Sequence, residues 1–149
     1  MSQDEPGIEL DTSLGYLLKQ ASSALHAAMD AELRPLGVTI TQYSCLELLS
    51  QRPGMSNSEL ARGAFVSRQS MNVLLQAMER DGLVQRATQP DAGRVLPTEL
   101  TPKGAALLTA VSAKVKAVED RMLSELTATE QANGRDLLAA FIRSLSSPL

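Results

Sequence analysis

Five polar side chains fall within a span of six residues: Ser67, Arg68, Gln69, Ser70 and Asn72. Ser67 is a good N-cap, so the polar run occupies the first turns of a helix reaching Arg80, where Gly82 supplies a left-handed stop. An arginine fork matches the acceptor pair of guanine, and a glutamine carboxamide matches the donor–acceptor pair of adenine. Arg68 and Gln69 are therefore candidates for reading base edges. Ser70 and Asn72 suit the same task, or phosphate contacts that set register without reading sequence. Arg94 stands beside Gly93 at the tip of an expected hairpin. A cation there suits a narrow minor groove, where the negative potential is greatest. Arg62 and Arg86 are further phosphate candidates, or plain surface charge.

These residues need a frame. Ser56-Asn57-Ser58-Glu59 is a capping box that opens a short helix, and Gly63 is expected to break it. A glycine-containing turn then leads to the Ser67 helix. Two short helices so joined form a helix-turn-helix, whose second helix normally enters the major groove. Leu83 to Thr88 alternates apolar and polar as a half-exposed strand does. Val95 to Leu100 reads as the returning strand, irregular at Pro97 because proline cannot donate to a ladder. Met71, Leu74, Leu75 and Met78 lie at core spacing on the second helix.

The flanks are helical. Leu14, Leu18, Ala21, Leu25, Met29 and Leu33 recur every three or four residues, and Leu17, Ala24 and Ala28 widen the stripe until Pro35 and Gly37 end it. Thr39-Ile40-Thr41-Gln42 is a second capping box. Thr101-Pro102 starts a seam through Leu107, Val111, Val115, Val118, Met122 and Leu126. Thr127-Ala128-Thr129-Glu130 is a third capping box, opening a last helix with Leu137, Leu138, Phe141, Ile142 and Leu145. Residues 1–11 are expected to be a disordered acidic tail. The fold class expected is mainly α with a small β-hairpin wing. A winged helix-turn-helix domain over 38–101 is flanked by helical dimerisation regions at 12–37 and 102–149. The terminal stripes exceed what a domain of that size can cover, and surplus apolar surface marks a partner, here a second copy of the chain.

Composition bounds the rest. Of 149 residues, 44% are hydrophobic but only four are aromatic, so aliphatic side chains and methionine must fill the core. Net charge is −3. The span from Arg62 to Arg94 nevertheless carries five arginines against three acids, so a locally basic segment sits on an acidic frame that repels DNA from the wrong faces. One cysteine excludes an internal disulfide. With a single histidine as well, no transition-metal site is expected, nor any cofactor. No apolar run approaches the ~20 residues of a membrane span, and no basic-then-apolar leader is evident, so a cytoplasmic protein is expected. Nucleophile–base pairs and phosphate-cradling glycine loops are missing, and catalysis is not expected.

With these residues in place, the chain resembles the MarR family of winged-helix regulators. The resemblance rests on Gly37-Val38-Thr39 with Gln42-Tyr43, on Ser58-Glu59-Leu60-Ala61 and on Val66-Ser67-Arg68-Gln69-Ser70. It is extended by Met78-Glu79-Arg80-Asp81-Gly82-Leu83-Val84, by Gly93-Arg94 and by Leu100-Thr101-Pro102-Lys103-Gly104. It implies a homodimeric transcription factor, most often a repressor, on double-stranded palindromic DNA. It also implies release by a small aromatic or lipophilic anion bound between the dimer arms and the winged domains. Two departures stand out: Ala92 replaces the acid that commonly braces the wing arginine, with Asp91 one residue earlier, and Val73 replaces a common basic residue. His26, with Met29, Tyr43 and Leu46, is a candidate effector lining, or else a dimer-interface or partly exposed histidine. Cys45 reads as a small buried hydrophobe, with redox sensing the sharper alternative. The competing function is a winged-helix protein-interaction module of anti-repressor type, with weak or no DNA binding.

Overall fold

In a computed structural model the described residues are 7–86 and 97–147. Six helices and one antiparallel hairpin follow in the order α1 (Leu14–Leu33), α2 (Ile40–Gln51), α3 (Asn57–Gly63), α4 (Arg68–Arg80), β1 (Val84–Arg86), β2 (Thr98–Leu100), α5 (Pro102–Met122) and α6 (Ala128–Ser146). Packing divides the chain into two compact units, residues 1–115 and 116–149.

The helix starts are built from local hydrogen bonds that the sequence spells out. Thr39, Ser56 and Thr127 each accept from the backbone N–H three residues on, while Gln42, Glu59 and Glu130 accept from the cap's own N–H. Those bonds hold the exposed Glu130 carboxyl below its ordinary pKa, because they favour its charged form. Ser13 caps α1 by accepting from Tyr16 N, so the helix begins at Leu14, where its apolar stripe begins and two residues inside the region expected from 12. Before it, Leu10–Thr12 forms one 3-10 turn at the end of the stretch expected to be a loose tail. Gly37 and Gly82 adopt the left-handed backbone (φ 71° and 74°) that ends α1 with its 3-10 extension and α4.

The end of α3 departs from expectation. Gly63 is the last helical residue and has no left-handed backbone. That backbone falls to Phe65, at φ 59°, the one non-glycine with positive φ among the described residues. Phe65 N–H donates to Arg62 O and Val66 N–H to Ala61 O, the bond pair of a Schellman stop with phenylalanine where glycine usually sits. Left-handed placement of an L side chain costs about 1–2 kcal/mol. Gly63 has a different reason to be glycine: a Cβ there would lie 2.8 Å from Leu48 Cδ1.

The core of the first unit joins α2, α3 and α4. Cys45, Leu46 and Leu49 pack with Met55, Leu60, Met71, Leu75, Met78 and Val84, and Leu74 is partly buried against them. A second cluster holds Leu33, Val38 and Val111 against Ile40, Tyr43 and Leu107. Val84 pairs with Leu100 and Arg86 with Thr98. β2 is tied inward by Thr98 N–H to Met55 O.

The junction of α4 with α5 is tight. Thr101 N–H donates to Leu83 O, the Thr101 hydroxyl donates to Gly82 O and accepts from Gly104 N, and Lys103 Nζ donates to Asp81 O at 2.7 Å. A Cβ on Gly104 would stand 2.1 Å from Leu83 O, so only glycine allows this approach.

In the second unit the seam does not run unbroken to Leu126 as its periodicity suggests. Helix α5 stops at Met122, and a turn with Leu126 N–H on Leu123 O leads into the Thr127 cap. On α6, Leu137, Leu138, Ile142 and Leu145 are exposed, as Leu14, Leu17 and Leu18 are on α1.

Candidate nucleic-acid interface

Helix α4 is two-faced for a plain reason. Met71, Leu75 and Met78 are fully buried, which fixes one face to the core and leaves the intervening positions outside. Ser67, Arg68, Gln69, Ser70 and Asn72 are all exposed. Ser67 Oγ accepts from Ser70 N at 3.0 Å, so its hydroxyl is used as the cap, and its Oγ–H donates to Ser70 Oγ at 2.9 Å. That leaves Arg68 and Gln69 as the polar groups at the helix start with no partner given by the fold's own caps. Arg68 is the one cation between the cap and Arg80, and Val73 is exposed on the same helix.

Asn72 and Arg86 do something the linear pattern does not suggest. Asn72 Oδ1 accepts from Asn57 Nδ2 at 2.8 Å and from Arg86 Nη2 at 3.3 Å. Arg86 Nε lies 3.9 Å from Glu79 Oε2, and the arginine side chain is only 25% exposed. One carboxamide oxygen thus joins α3, α4 and β1. Arg86 is a strut between the recognition helix and the wing rather than a free surface cation. Arg62 is exposed and borders, with Arg52, Gly54, Met55 and Glu59, a cleft of about 480 Å³. Arg94, with Asp91 and Ala92, lies outside the described residues.

The effector candidates lie on α1 and α2, two helices in contact, and differ in exposure. His26 is exposed, Met29 and Tyr43 are half-buried, and Leu46 is fully enclosed in the core. Cys45 is fully buried as well, and loss of solvent pushes its thiol up to about 12, where it stays protonated and unreactive at neutral pH. Among the described residues no cluster of histidine, cysteine and acids has metal-binding geometry. Nor is any helix among them long and apolar enough to cross a membrane.

The residues missed from sequence are Asn57, Glu79 and Phe65. Polar pairs such as Asn57–Asn72 are separated by fifteen positions, so no local pattern announces them. Phe65 carried a signal: it stands two positions before a capping serine, where the incoming chain must reverse.

A buried-faced helix with a polar start, preceded by a short capped helix and followed by a two-stranded hairpin, defines a winged helix-turn-helix protein. A family model described as MarR family matches residues 36–95. The HTH-type transcriptional repressor Rv2887 of Mycobacterium tuberculosis is 42% identical over 132 residues, covering 89% of this chain and 95% of that protein. The chain belongs to the MarR family. A crystal structure of Rv2887 in complex with salicylic acid superposes with a TM-score of 0.71 at 39% identity, covering 95% of this chain and 99% of that one. Rv2887 in complex with DNA gives 0.70 at 39%, covering 92% of this chain and 100% of that one.

Proposed function

We propose that this protein is a cytoplasmic, homodimeric, sequence-specific DNA-binding repressor of transcription, released from its operator by a small aromatic or lipophilic anion. It acts by binding and carries no catalytic step. The observation that carries this reading is the polar, exposed start of α4 on a helix whose opposite face is locked into the core. Arg68 and Gln69 read base edges in the major groove, Ser70 holds phosphate, Arg62 adds charge at the flank, and Arg94 reaches the minor groove. The repressor Rv2887, seen with DNA and with salicylic acid, supports both halves of the proposal.

Residues 38–101 form the DNA-binding part, and 12–37 with 102–149 pair two copies. Exposed leucines on α1 and α6 are the surface that pairing would cover. Two recognition helices then meet a palindrome about one helical turn apart. His26, Met29 and Tyr43 line the effector site, with Leu46 as its buried backing.

Selection of bound duplexes from a random pool tests the reading. A palindromic site is expected, with affinity that falls on adding salicylate. On that duplex, Arg94→Ala lowers the slope of log affinity against log salt by roughly 0.9 for each phosphate that it leaves unneutralised. No retardation at low salt favours the protein-interaction module instead.

A further inference from the structure

The strained residue at the end of α3 is also the most exposed large hydrophobic side chain among the described residues. Phe65 sits at φ 59° with 94% of its surface open. Its own N–H on Arg62 O and the Val66 N–H on Ala61 O hold its backbone in the left-handed region. Glycine or asparagine would take that conformation with less strain. Among the described residues nothing repays the phenylalanine: its ring joins neither core cluster, and the Schellman bonds use only the backbone N–H groups of Phe65 and Val66. Strain that the fold does not use points outward, to something the ring touches when the protein is engaged.

Position says what that is. Phe65 lies two residues before Ser67, the cap of the helix whose first turns carry Arg68, Gln69 and Ser70. That start is the part of a helix-turn-helix that faces base edges. Between Ser67 and Gln76 the helix has Arg68 as its single cation and exposes Val73. Ionic contact from this helix is therefore sparse, and contact of another kind has room to contribute. In the major groove the apolar feature is the thymine C5-methyl group, which aromatic side chains contact.

We propose that Phe65 is a DNA-contacting residue, its ring packing on a thymine methyl beside the bases read by the start of α4. The proposal rests on the DNA-binding reading above. It adds an apolar specificity element from the turn, distinct from the polar and arginine contacts.

The test uses the full chain and a duplex that the wild-type protein selects from a random pool. Binding is measured for wild type, Phe65→Gly and Phe65→Asn over a salt series, with each thymine replaced in turn by deoxyuridine. Both variants are expected to keep or raise Tm and to bind about fivefold or more weakly, with an unchanged salt slope. One deoxyuridine position is expected to weaken wild type and leave both variants unaffected. Asparagine guards against a purely conformational effect of glycine, because it keeps a side chain at a φ it tolerates. Equal affinity of wild type and both variants overturns the proposal while leaving DNA binding intact. So does a deoxyuridine profile that is identical in all three proteins. Failure of wild type to bind any duplex overturns the DNA-binding reading and this inference together.

Discussion

Replacing Arg86 with alanine separates a strut from a phosphate contact. The side chain donates to Asn72 Oδ1 at 3.3 Å and faces Glu79 at 3.9 Å. A hydrogen bond from a charged donor contributes about 1.5–3 kcal/mol at good geometry and the low end or less at this length, and an ion pair with a half-exposed glutamate adds under about 1 kcal/mol. Arg86→Ala should therefore cost about 1–2 kcal/mol, a fall in Tm of roughly 2–8 °C for a chain of this size. Thermal denaturation at one fixed protein concentration measures this, because an associating protein has a concentration-dependent Tm. The DNA consequence is of a different kind. A strut neutralises no phosphate, so affinity falls by a few-fold through a looser α4 while the salt slope holds. Fluorescence anisotropy over a potassium chloride series reads both quantities. An unchanged Tm with a slope reduced by roughly 0.9 per site would refute the strut, since that pattern belongs to counterion release.

Two glycines should respond differently to the same added methyl group. In Gly104→Ala the new Cβ meets the Leu83 carbonyl at 2.1 Å, and backbone cannot yield cheaply, so a loss of about 3 kcal/mol is expected. In Gly63→Ala the obstacle is the end of the Leu48 side chain, and alanine gains helix stability over glycine, so the net change should stay within about 1 kcal/mol. Denaturant midpoints compare them, and similar losses would contradict the distinction. Cys45 should resist thiol reagents in the native state at pH 8, and Cys45→Ala should leave any peroxide response of DNA binding unchanged. Its folded-state pKa is raised from 9.0 to about 12, so the neutral thiol's stabilisation is complete below pH 9.0 and is lost as pH rises toward about 12. Stability curves of wild type and Cys45→Ala over that range should diverge; parallel curves would refute the burial argument.

What could be read from the chain beforehand was local chemistry. Thr39 with Gln42, Ser56 with Glu59 and Thr127 with Glu130 satisfy each other across three residues, so the sequence places those helix starts to the residue. The buried face of α4 followed equally from spacing. The candidate interface side chains at the start of α4 are legible for the same reason, being the positions that spacing leaves outside. What escaped were bonds between distant positions. Spacing makes Asn72 a candidate for base or phosphate contact but does not announce that Asn57 and Arg86 meet at its oxygen, and it marks Thr101 as a helix start but not as a partner of Gly82. Gly63 misled because a glycine near a helix end usually supplies the turn, whereas here it makes room for Leu48 and Phe65 takes the turn. The effector candidates come from two helices, α1 and α2, whose contact no local pattern encodes, and Leu46 belongs to the core.

Helix α4 is gripped at both ends. At its start Asn72 is held by Asn57 and Arg86, and at its finish Gly82 and Leu83 are clamped by Thr101 with Gly104 pressed against them. Neither end has slack for a turn to unwind without breaking several bonds together. An effector that ended the proposed DNA binding would have to carry this helix elsewhere as a rigid rod, not melt it. Its amides should then exchange with solvent at much the same rate in free and ligand-bound protein, even as the distance between the two copies of α4 in a dimer changes.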